Sequence, residues 1–151
     1  MRLSRQGEYA LKAMVYLGFR HGQGPVQSKE IAGKEHIPLK FLEQILVLLR
    51  RAGFIRSRRG PGGGHQLARN PAEISLADII RAIDGPLAPL DCVSRVAYRH
   101  CPEEAKCGLR GVLLEVRNAT AVILEGTSLA DICAGKWKRL TGIGNASKVG
   151  E

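Results

Sequence analysis

The stretch IPLKFLEQILVLLRRAGFIRSRRGPGGGHQ, residues 37–66, decides the fold. Its first half repeats apolar residues at spacings of three and four, so Leu39, Leu42, Ile45, Leu46 and Leu49 share one stripe of a helix. Lys40, Glu43, Gln44, Arg50 and Arg51 fall off that stripe and face away from the core. Pro38 suits the first helical turn, where its missing N–H costs nothing, and Gly53 suits the stop. Beyond the stop the pattern changes to a short strand, an arginine- and glycine-rich turn and a return strand. Arg56, Arg58 and Arg59 precede Gly60, Pro61, Gly62, Gly63 and Gly64.

A glycine-rich turn can cradle a phosphate, but a P-loop needs Lys-Ser/Thr after its last glycine, and here His65 and Gln66 follow. The dinucleotide fingerprint fails too, because no helix opens there. What remains is a β-turn carrying arginines beside a helix with a polar outer face. That is the layout of a winged helix-turn-helix, with a recognition helix for the major groove and a basic wing beside it.

Charge placement agrees. The chain of 151 residues has net charge +9. Residues 1–70 hold 13 Lys/Arg against four Asp/Glu, whereas residues 71–151 hold ten of each. All the excess positive charge therefore lies on the segment with the helix and wing, as for a polyanion-binding head joined to a neutral second part. No run of about 18 apolar residues is present, and the N-terminus lacks a signal-peptide pattern. The expectation is a soluble, cytoplasmic protein without a membrane span.

Outward from the core stretch, residues 4–22 predict a first helix, apolar on most of its circumference and so buried between layers. A short helix is expected from Ser28, as N-cap, to about Glu35. Ser75-Leu-Ala-Asp78 starts a helix that ends near Asp84, before Gly85-Pro86, and the same tetrapeptide recurs at Ser128–Asp131. From Gly108 to Glu125, Leu109, Val112, Val116, Ala119 and Ile123 repeat at three, four, three, four, which is a coiled-coil seam. Such a helix is expected to pair with its own copy. The fold class is mainly α with a small β wing. The expected division is 1–84, a DNA-binding domain; 85–107, a cysteine-bearing sensor loop; 108–134, a dimerisation helix and a short helix; and 135–151, a flexible tail.

Cys92, Cys101 and Cys107 lie in the loop, and Cys133 near the last helix. The loop spacing is too wide for a structural zinc knuckle and does not match the ferredoxin run. An iron–sulfur cluster, zinc and a thiol switch all stay open on the residues alone. No constellation for catalysis is present: His100-Cys101 cannot aim both side chains at one substrate, and no Ser-His-Asp or metalloprotease motif exists. An enzyme is not expected.

Taken together, the opening Met1–Ser4 with Gly7, Tyr9 and Ala10, the run Phe41–Ile45, Arg59–Gly64, the helix Ile79–Asp84 before Gly85-Pro86, and the three-cysteine loop resemble the Rrf-type family of winged-helix regulators, the group of IscR, NsrR and RirA. The resemblance covers residues 1–135. It implies a homodimeric transcription factor, such as a repressor, on a palindromic double-stranded DNA operator. It also implies an iron–sulfur cluster that senses iron, redox state or nitric oxide. Cys92, Cys101 and Cys107 match the family's three cysteine ligands, although the first gap is longer than usual. The IscR branch has histidine where Arg110 stands, and arginine does not ligate iron. This favours a 4Fe–4S over a 2Fe–2S cluster. The NsrR branch uses an acidic residue from the other subunit, which maps to Glu8, with His100 as a second candidate. The implied DNA contacts are Lys40, Glu43 and Gln44 on the helix, and Arg58, Arg59, Gly60, Gly62 and Gly63 on the wing. Lys12 or Lys29 is expected at phosphates, and His65, where the family usually has tyrosine, is expected to pack. The alternative is a cluster-free regulator of the same family that responds to a metabolite, thiol oxidation or a partner protein.

Overall fold

The structure is a computed structural model that describes residues 2–137. In chain order it contains α1 (Arg5–Phe19), α2 (Ser28–Glu35), α3 (Leu39–Arg51), β1 (Ile55–Arg58), β2 (Gly64–Leu67), α4 (Leu76–Asp84), α5 (Gly108–Glu125) and α6 (Leu129–Cys133). Single 3-10 turns lie at Pro71–Glu73, Asp91–Val93 and Glu104–Lys106. The mainly helical class with a small wing is as the sequence predicts. Of the expected tail, residues 138–151 lie outside the described residues.

The central element is α1, which touches α2, α3, α4, α6 and β2. Its small residues make this possible. Ala10 and Ala13 are fully buried with Met14 and Leu17, and a Cβ on Gly7 would stand 2.4 Å from Asp84 Oδ2. The start of α1 is closed twice. The Ser4 hydroxyl accepts from Gly7 N at 2.9 Å, and Asp84 accepts from Ser4 N at 2.9 Å and from the Ser4 hydroxyl. The stripe on α3 points inward as expected, with Leu42, Ile45, Leu46 and Leu49 buried and only Leu39 half-buried.

The expected cap at Ser28 is not found. Gln27 is the cap residue and makes no side-chain cap bond, while the Ser28 hydroxyl is engaged by His65. The turn into α3 is made by His36 in the left-handed region, at φ 53°.

Both Ser-Leu-Ala-Asp segments are capping boxes, and they meet. Ser75 and Ser128 form an antiparallel bridge, with Leu76 N donating to Thr127 O at 3.0 Å and Leu129 N donating to Ile74 O at 2.9 Å. This exchange carries α6 back onto α1, where the fully buried Leu129 joins the core cluster that also holds Ala13, Leu17 and Ile79. The sequence groups α6 with α5; in the structure its one fully buried side chain, Leu129, lies in the core around α1. By contrast, α5 leans on α4 through a smaller cluster of Ala77, Ile80, Leu87 and Ala121, with Leu124 beside it. Leu109, Val112, Val116, Val122 and Ile123 all remain exposed on this chain.

Candidate nucleic-acid interface and cysteine loop

The wing is a hairpin with Ile55 opposite Leu67, Arg56 opposite Gln66, Ser57 opposite His65 and Arg58 opposite Gly64. Ile55 and Leu67 face the core, while Arg56, Arg58 and Arg59 are exposed. The turn depends on its glycines: Gly60 and Gly62 have φ 90° and 72°, and Gly63 N donates to Gly60 O at 2.9 Å. On α3, Lys40, Glu43 and Gln44 are all exposed, on the same face as one another. A groove of about 280 Å³ runs between helix and wing, lined by Lys29, Leu39, Glu43, Arg58 and Gly60 among others. Of the expected DNA-facing residues, Glu43, Arg58, Gly60 and Gly63 line this groove, while Lys40, Gln44, Arg59 and Gly62 do not. Lys12 does not line this groove and is paired with Glu8 at 2.9 Å on α1.

His65 does more than pack. Its Nδ1 is 2.8 Å from the Ser57 hydroxyl and its Nε2 is 2.9 Å from the Ser28 hydroxyl, so one ring joins both wing strands to α2. Its backbone also exchanges bonds with Val26, at 2.8 and 2.7 Å, which adds a third short extended segment to the sheet. Burial holds the imidazole below its ordinary pKa; Arg50 adds to this and Glu43 opposes it. Sequence reading missed this strap, although serines at 28 and 57 flanking a lone wing histidine are its signal.

In the loop, Cys92 lies in the Asp91–Val93 turn, Cys101 precedes the second turn, and Cys107 is the N-cap residue of α5. All three are free and half-buried. The centre of the loop is Glu104. It accepts from the Tyr98 hydroxyl at 2.8 Å and from the Arg110 guanidinium at 2.7 Å, has His100 Nδ1 at 3.5 Å, and its N–H donates to Cys101 O at 3.0 Å. The Tyr98 hydrogen bond, then Arg110, holds the Glu104 carboxyl below the usual carboxylate range, and the same bond raises the Tyr98 phenol. Arg110 thus has a partner of its own in Glu104. Sequence reading gave Glu104 no role.

The test for a resident cluster is whether these donors converge. Among the described residues no three His, Cys, Asp or Glu side chains are gathered closely enough to hold a metal ion. The fourth cysteine, Cys133, lies against α1 with its thiol 3.7 Å from Val15 O, and burial raises its pKa.

Comparison with known proteins supplies the family. A family model described as "Rrf2: Iron-dependent Transcriptional regulator" matches residues 3–135. The transcriptional regulator CymR of Bacillus subtilis is 33% identical over 134 residues, which cover 89% of this chain and 91% of that protein. Its solved structure, titled as the global cysteine regulator, superposes with a TM-score of 0.76 over 90% of this chain and 98% of that one. IscR of T. potens superposes at 0.70 with 30% identity, covering 89% and 88%. CymR of Staphylococcus aureus, solved in an oxidized form, superposes at 0.68 with 32% identity, covering 88% and 96%. No helix among the described residues is long and apolar enough to cross a membrane. The chain belongs to the Rrf2 family: it is a DNA-binding transcriptional regulator and not an enzyme.

Proposed function

We propose that this regulator binds a two-fold symmetric duplex as a homodimer, with α3 in the major groove and the wing alongside. The observation that carries this reading is the shared groove between the polar face of α3 and the arginine turn. Glu43 accepts from cytosine N4, Gln44 pairs with adenine, and Lys40 takes a guanine edge or a phosphate. Arg58 and Arg59 enter the minor groove, with Gly60, Gly62 and Gly63 allowing the backbone close to the phosphates. The exposed apolar seam on α5 supports pairing with a second copy, since Leu109, Val112 and Val116 have no cover among the described residues.

The loop is the sensing element in this reading. Three free, half-buried cysteines on a connection of this length support it, as does the iron-dependence named for the family. We assign them an iron–sulfur cluster, 4Fe–4S ahead of 2Fe–2S, with the partner subunit's Glu8 as fourth ligand. This requires the loop to close further than in the single chain and Glu8 to leave Lys12. A second reading, a cluster-free thiol-responsive loop, is favoured by the scattered donors and by the Glu104 network that already orders the loop.

An anaerobic ultraviolet–visible spectrum with iron and sulfide counts separates the two. Broad absorption near about 400 nm with roughly four irons per chain, lost in the Cys92→Ser, Cys101→Ser, Cys107→Ser triple variant, supports the cluster. Colourless protein after reconstitution supports the thiol loop.

A further inference from the structure

Arg117 is a buried cation with no carboxylate against it among the described residues. It lies on α5 with 8% of its surface exposed, and none of the ion pairs among the described residues includes it. Its Nε donates to Val93 O at 3.1 Å, and its Nη1 is buried with no partner among the described residues. Val93 itself is 3% exposed and closes the turn that holds Cys92. Within that turn, Asp91 O accepts from Ser94 N at 3.1 Å and from Arg99 N at 3.3 Å, so whatever pins Val93 also pins the loop from 91 to 99.

We infer that Arg117 is the positioning residue that couples the Cys92 turn to α5. The side chain next to it, Val116, belongs to the exposed seam, and Ala121 one turn on packs against α4 through Ala77 and Ile80. A turn lifted off Arg117 therefore changes the packing of the helix that carries the seam and leans on the DNA-binding head. The choice of residue fits a switch better than a clamp. An apolar side chain would hold the turn without burying a charge, whereas a guanidinium with one donor unanswered regains its hydration when the turn lifts. The sensing role rests on the loop reading above; the tether from Arg117 to Val93 stands without it.

Hydrogen exchange followed by mass spectrometry on the full chain tests this, with Arg117→Met, Arg117→Gln and wild type, each before and after iodoacetamide. Glutamine places its Nε2 where arginine has Nε, so it keeps the bond to Val93 O without the charge; methionine keeps the length and loses the bond. Arg117→Met is expected to raise exchange at Ser94 and Arg99 about fivefold, the effect of one net hydrogen bond, while Arg117→Gln stays within about twofold of wild type. Alkylation is expected to raise exchange along 108–125 in wild type and to add nothing in Arg117→Met. The inference is overturned if methionine behaves as wild type, if glutamine behaves as methionine, or if alkylation leaves α5 unchanged. Should Arg117→Met lose its protection over 39–51, and so its fold, the glutamine variant decides: a docked turn supports the tether and a released one refutes it. Colourless protein in the spectrum described above alters none of these outcomes.

Discussion

At Gly63 a Cβ would stand 2.2 Å from Arg58 O and 2.9 Å from Gly60 O, against backbone that cannot swing aside. Gly63→Ala should therefore open the wing turn at a cost of about 1–3 kcal/mol. Duplex affinity should fall by about tenfold, while far-ultraviolet circular dichroism of the helices stays as in wild type; unchanged affinity in a mobility-shift titration would contradict this. His65 adds a pH dependence. Its folded pKa is lowered, so between that value and the ordinary imidazole value the unfolded chain binds a proton that the folded chain does not. Stability from this group is present above that window and is lost as pH falls through it. Urea midpoints at about pH 7.5 and about pH 5.5 should drop more for wild type than for His65→Gln, and an equal drop would remove the strap from the account. Residue identity made the wing legible from the sequence, because glycines and arginines at a turn have few other uses. The His65 strap and the Glu104 network were not legible, since each joins polar residues whose partners only the tertiary fold brings near.

Among the elements, α3, α4 and α5 follow their periodicity and caps closely, down to the capping box at Ser75 and the span Gly108–Glu125. Periodicity reports which face is apolar, and it does not report what covers that face. For this reason periodicity alone places α6 with its sequence neighbour, whereas the bridge between Ser75 and Ser128 brings it against the core around α1. Leu129 is fully buried there. Leu129→Ala should cost about 2–5 kcal/mol in urea unfolding, and the loss should appear in the same transition that reports α1 and α3. Ile123→Ala, on the exposed seam, should cost under about 1 kcal/mol in dilute protein kept monomeric. A Leu129→Ala chain with wild-type stability would show that α6 is not part of the head.

For the whole molecule, the asymmetry of charge and the uncovered seam are the features that matter. Replacing Arg58 and Arg59 together by alanine should weaken binding to every duplex and lower the slope of log affinity against log salt by about two. Val112→Glu with Val116→Glu should place carboxylates on the seam and give a monomer in sedimentation velocity, with the head still folded; a persisting dimer would move the interface elsewhere. Both features were readable from the sequence, as a net charge confined to residues 1–70 and a three-four repeat. How the cysteines are arranged was not, because loop closure depends on contacts outside the chain's own periodic elements. The most direct test of the account is selection of binding duplexes from a random-sequence pool, analysed for symmetry. A two-fold dimer should enrich an inverted repeat whose half-sites lie one helical turn or a multiple apart. Enrichment of an asymmetric single site, or no enrichment at all, would contradict it.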